Sequence, residues 1–106
     1  MMTLSTFKGF VDGARDAYLH ACDKHPQFTD RVTDTPLTDI SIIVDAAKQE
    51  NDKVVEDGSV PSFHHIIAEE IAEYAEASLL GDVEAAKHEL LDCAAVIMRE
   101  WERISK

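Results

Sequence analysis

Glycine, proline and cysteine are scarce in this 106-residue chain, with four, three and two copies. Two cysteines, Cys22 and Cys93, are too few for a disulfide scaffold and read as free, buried thiols. Long apolar stretches are missing too. The longest uninterrupted run, Cys93 to Met98, has six residues, where a membrane span needs about 20. The opening Met1-Met2-Thr3-Leu4-Ser5 lacks the basic start and apolar core of a secretory signal, so a soluble, cytoplasmic protein is expected. No useful strand-like alternation, internal repeat or low-complexity tract occurs, which leaves the all-α class. The chain also lacks a Gly-rich phosphate loop, a nucleophile elbow, a CxxC pair and a basic stripe with aromatics. P-loop, elbow-hydrolase, zinc and RNA-binding chemistries therefore find no support.

Positive charge is the other deficit. Ten Lys and Arg face 21 Asp and Glu, a net charge of −11. Such a chain repels phosphodiester backbones and anionic lipid, so neither nucleic acid nor a membrane surface is an expected partner. A phosphorylated small molecule remains compatible if a divalent cation lies between it and the protein.

The remaining composition, 45% hydrophobic and 29% charged, is that of an ordinary globular protein. The length fits one domain over residues 1–106, with a core small enough that oligomerisation would help it. Pro26, Pro36 and Pro61 fall where the apolar pattern breaks and divide the chain into four expected helices. The first runs roughly from Ser5 to Ala21 and ends by His25-Pro26, with Phe7, Phe10, Val11, Ala14 and Tyr18 at helical spacing. A loop over residues 26–35, containing Asp30, Thr33, Asp34 and Thr35, precedes a helix start at Thr35-Pro36 or Thr38-Asp39. Helix two carries Ile40, Ile43, Val44, Ala47 and Val54 on one side and ends near Asp57-Gly58, where glycine supplies a left-handed cap. Ser62 is a natural N-cap for helix three, expected to reach Leu80. Gly81-Asp82 then makes a tight break, with Asp82 capping helix four. So short a turn makes helices three and four an antiparallel hairpin.

That hairpin holds a one-sign segment. No Lys or Arg occurs between Lys53 and Lys87, while residues 54–92 contain ten acids. Glu70 and Glu73 stand three apart on helix three, as do Glu89 and Asp92 on helix four, so each pair shares a helical face. On a helical wheel Glu70 falls inside the apolar arc of Phe63, Ile66, Ile67, Ile71 and Tyr74, and Glu73 falls at its edge. Glu69 and Glu76 fall on the side expected to be solvated. On helix four the main apolar arc is Leu90, Val83, Trp101, Ala94, Ile97, Ala86 and Ile104. Glu89 and Asp92 lie beside it among small residues that permit close approach. Unpaired burial of a carboxylate costs several kcal/mol, so acids at such positions should be neutralised, hydrogen-bonded or metal-bound. Four carboxylates without an interleaved base make a hard-oxygen site of charge −4, suited to Mg²⁺ or Mn²⁺. A di-iron bundle would want Glu-x-x-His on the ligand helices, and no histidine follows Glu70 or Glu89 by three residues. His88 points away from Glu89 on the wheel and is left out of the site.

Glu69-Glu70-Ile71-Ala72-Glu73, fifteen intervening residues and Glu89-Leu90-Leu91-Asp92 together resemble the EExxE…ExxD signature of the MazG-like all-α nucleoside triphosphate pyrophosphohydrolases. The resemblance covers about residues 62–101. It implies a four-helix MazG-like bundle completed as a homodimer or homotetramer. It also implies a Mg²⁺-dependent enzyme that hydrolyses an NTP or dNTP to the monophosphate and pyrophosphate in nucleotide-pool control. By resemblance, Glu70, Glu73, Glu89 and Asp92 match the metal positions, and Glu69 and Glu76 match acidic positions beside the first pair. Glu69 or Glu73 is then the candidate base, with Glu76 in support. Several branches continue into a further helix bearing Lys and Asn for phosphate and base, whereas here 14 residues follow Asp92. Lys48, Lys53 and Arg99, with Arg103, are the candidate phosphate-binding cations. The competing expectation is a non-catalytic acidic helical module that binds a partner or regulates it.

Overall fold

The structure, a computed structural model, describes residues 2–28 and 31–105. Thr29 and Asp30, within the expected loop, lie outside the described residues. The described residues form four α-helices and no strand: α1 (Leu4–Lys24), α2 (Leu37–Glu56), α3 (Phe63–Leu79) and α4 (Val83–Ile104). None of them is long and apolar enough to cross a membrane.

Local chemistry accounts for the ends of these helices. Thr3 caps α1 by accepting from the Thr6 N–H at 3.1 Å, so the helix begins one residue before Ser5 and also runs past Ala21. Pro36 occupies the N-cap of α2 without a side-chain hydrogen bond. Ser62 accepts from the His65 N–H at 3.3 Å and Asp82 from the Ala85 N–H at 3.1 Å, each satisfying one free donor of its helix. Gly58 and Gly81 have φ of 80° and 76°, the left-handed conformation in which a helix stops and which glycine adopts without steric cost.

The chain divides into two compact units, Arg31–Ile97 and Met1–Asp30 with Met98–Lys106. In the second, α1 has no buried residue, and Phe7, Val11 and Tyr18 of its apolar stripe are exposed. Phe10, half-buried, meets Trp101 of the last turns of α4 edge to face, with ring centroids 5.8 Å apart. Cys22 is exposed, contrary to the expectation of two buried thiols, because no side chain of α1 is enclosed.

In Arg31–Ile97 the core lies between α2 and α3. Ile40 and Val44 pack with Ala72 and Ala75, and Val32 and Leu79 close around them. Val44 is 2% exposed. The arcs expected to face the core are rotated away from it. Ile71 remains 55% exposed and Leu90 48%, while α3 turns its alanines and α4 turns Cys93 inward. Small side chains let helix axes approach closely, so the Ala72–Ala75 stripe outweighs the bulkier Phe63, Ile71 and Tyr74. On α2, Ile43 is likewise exposed beside the buried Ile40 and Val44.

Candidate metal centre

The short connection Leu80-Gly81-Asp82 turns α4 back toward α3 and brings Glu70 to Glu89 and Asp92. One carboxylate oxygen from each of Glu70, Glu89 and Asp92 lies within 4.8 Å of the other two. Glu69, Glu70 and Glu73 form a second group within the same distance, sharing Glu70. All five acids are half-buried, and Cys93, buried at 8% exposure, forms part of the wall. The four acids of the two sequence pairs are thus brought together, with Glu69 added. Glu69 and Glu76 are half-buried rather than solvated, because the face of α3 turned toward α2 is the one that carries Glu69.

The electrostatics follow from this crowding. Burial, then the charges of Asp92, Glu89 and Glu69, push the Glu70 carboxyl above the usual carboxylate range, with Lys48 acting in opposition. Glu73 is pushed up to about 7 by burial, then by Glu70 and Glu89, and its side chain is hydrogen-bonded to Glu69. Burial, followed by the negative charges of Glu70, Glu89 and Asp92, raises the Cys93 thiol, which is therefore protonated and poorly nucleophilic at neutral pH.

Two oxygens at the centre, Glu70 Oε2 and Glu89 Oε2, are fully buried without a hydrogen-bond partner. A buried, unpartnered carboxylate oxygen is costly, and one on each side of the hairpin fits a hard divalent cation held between the helices. The set of oxygen donors, without a neutral nitrogen ligand among the two groups, matches Mg²⁺ or Mn²⁺ better than zinc or redox iron.

Next to the cluster is an open cleft of about 190 Å³ lined by Lys48, Glu73, Glu76, Ala77, Leu80, Asp82, Ala85 and Glu89. Lys48 is the one cation lining it, and it lies close enough to Glu70 and Glu73 to oppose the rise of both. Lys53 is exposed on α2 outside that lining, and Arg99 is exposed on the final turns of α4. Arg103 is bound to Glu100. No protein-family profile, curated protein or solved structure matches the chain.

Two residues the sequence reading passed over also reach the cluster. His88, left out of the site, places Nε2 3.7 Å from Asp92 Oδ2 because it sits one turn before it on α4. Asn51 of α2 donates from Nδ2 to Glu69 Oε1 at 3.3 Å. Its signal was present in the sequence: in the stripe Ile40, Val44, Ala47, Asn51, Val54 it is the one polar residue.

Proposed function

We propose that the chain is a Mg²⁺-dependent nucleoside triphosphate pyrophosphohydrolase that converts (d)NTP and water to (d)NMP and pyrophosphate, with Mn²⁺ as a substitute ion. The observation that carries this reading is that Glu70 and Glu89 each keep a buried, unpartnered oxygen while their carboxylates and that of Asp92 come within 4.8 Å of one another. The resemblance of Glu69–Glu73 and Glu89–Asp92 to the MazG-like signature supplies the reaction. Glu70, Glu73, Glu89 and Asp92 would hold the ion, which when bound neutralises phosphate charge and acidifies a water molecule. Lys48, lining the cleft, takes the phosphate chain, and Glu76 contributes to the wall beside it. Glu69 receives the proton of the attacking water as the new P–O bond forms. The α–β phosphoanhydride bond then breaks and pyrophosphate leaves. Lys53 and Arg99 are weaker candidates for phosphate contact, since neither lines the cleft.

Self-association as a homodimer or homotetramer belongs to the same reading. Its support is the apolar arc left open on α4, where Val83 is 63%, Leu90 48% and Ile97 44% exposed.

The test is incubation of the purified chain with Mg²⁺ and a panel of NTPs and dNTPs, modified bases included, with separation of the products. Monophosphate plus pyrophosphate is expected. Diphosphate plus phosphate would refute the bond assignment. An absence of hydrolysis across metal and protein concentrations would transfer the reading to an acidic partner-binding module.

A further inference from the structure

Asn51 holds one turn of α3 at both its backbone and its side chain. Its Nδ2 donates to the His65 carbonyl oxygen and to Glu69 Oε1, each at 3.3 Å. His65 and Glu69 are four apart, so the His65 carbonyl is also the acceptor for the Glu69 N–H within the helix. The amide orientation is forced, because flipping it would set Oδ1 against two acceptor oxygens. On the same turn of α2, Glu50 Oε1 lies 3.0 Å from His65 Nε2, and the other ring nitrogen lies 2.8 Å from the Ser62 cap. The start of α3 is thereby tied to α2 at two residues one turn apart, His65 and Glu69, and Ser62 braces the His65 ring from within α3.

This arrangement has a cost. Asn51 Oδ1 is buried and unpartnered, and such an orphan costs about 1–3 kcal/mol. The neighbours of Asn51 on its stripe, Val44 and Val54, show that an apolar side chain suits this face. What Asn51 adds over valine is a fixed amide donor on Glu69, whose carboxylate is grouped with those of Glu70 and Glu73.

We infer that Asn51 is a positioning residue for Glu69, holding its carboxylate in one orientation so that the other oxygen is presented to the neighbouring carboxylates of Glu70 and Glu73. The catalytic part of this role rests on the pyrophosphohydrolase reading, while the structural part does not. Side chains that orient the groups around a metal are worth about 10–100-fold in affinity or activity. Asn51→Ala and the similarly sized Asn51→Leu, neither of which can donate, should each lower kcat by about 10–100-fold while KM changes less than about 3-fold. Val44→Ala, which damages the same helix packing away from the acids, serves as the control for loosened structure. Its midpoint should fall while kcat, measured well below that midpoint, stays within about 2-fold of wild type.

The decisive comparison is the cycle of Asn51→Ala, Glu69→Gln and the double variant. If Asn51 acts through Glu69, the double variant is no slower than Glu69→Gln alone; multiplied losses would overturn the inference. A second readout needs no turnover. In the nuclear magnetic resonance spectrum the Asn51 side-chain amide should shift as Mg²⁺ alone is added, and the shift should vanish in Glu69→Ala. An amide indifferent to Mg²⁺, in a protein whose other site resonances respond, overturns the positioning role. If the wild type hydrolyses nothing yet the amide follows Mg²⁺ through Glu69, the enzymatic reading falls and the positioning of Glu69 stands.

Discussion

Without a divalent ion, the cluster should make the protein less stable as pH rises through neutrality, and Glu73 sets the window. Its carboxyl is pushed up to about 7 from an ordinary 4.5. A carboxyl raised in the folded state binds its proton more tightly there than in the unfolded chain. The stability it contributes is fully present below pH 4.5 and is lost as pH rises through about 7. The difference between about 7 and 4.5, at about 1.4 kcal/mol per pH unit, bounds the effect at roughly 3.5 kcal/mol. Glu73 keeps partial access to solvent, and screening reduces this to about 1–2 kcal/mol. A domain of this size loses roughly 4–8 °C in midpoint per kcal/mol, so thermal melts in chelator should drop by roughly 5–15 °C between pH 5 and pH 8. If Mg²⁺ occupies the ionised site as proposed, it should flatten or reverse that slope, with the largest rise in midpoint at pH 8. Glu73→Gln, measured in chelator, should remove most of the slope and separate this group from the histidines and from the general charge of the chain. A metal-free midpoint that holds or rises from pH 5 to pH 8, or an unchanged slope in Glu73→Gln, would refute the electrostatic account.

Glu70→Gln and Asp92→Asn should abolish both turnover and the Mg²⁺-induced rise in midpoint while the far-ultraviolet circular dichroism stays helical; a variant that keeps the metal response removes its residue from the ion site. Val44→Ala should cost about 1–3 kcal/mol, because Val44 is the most enclosed side chain of the α2–α3 core, and denaturant melts would read this as a lower midpoint. Asp82→Ala should cost about 1 kcal/mol through loss of the cap on Ala85, again measured by denaturant melts. Leu90→Lys together with Ile97→Lys, on the open arc of α4, should lower the apparent mass in sedimentation if that arc joins copies of the chain, and should leave it unchanged if it does not.

The positions of the helices and the pairing of the acids are local properties, and the sequence by itself determined them. Proline cannot continue a helix, Ser62 and Asp82 supply caps, Gly58 and Gly81 supply the left-handed stops, and a spacing of three places Glu70 with Glu73 and Glu89 with Asp92 whatever the rest of the chain does. The turn at Gly81 is short enough to make the hairpin readable as well. The face each helix turns inward was decided only in the tertiary structure. A wheel weights residues by hydrophobicity and so favours Ile71 and Leu90, whereas close packing favoured Ala72, Ala75 and Cys93, because small side chains allow helices to approach. That rotation moved Glu69 and Glu76 out of the solvent-facing side. Lys48, unlike Lys53 five residues on, lines the acidic cleft because it lies on the side of α2 turned toward Glu73. The contact of Asn51 with Glu69, across 18 residues of sequence, has no local signal beyond one polar side chain in an apolar stripe. The rise of Glu73 to about 7 likewise needs the distances between charges on two helices, which spacing along one of them does not contain.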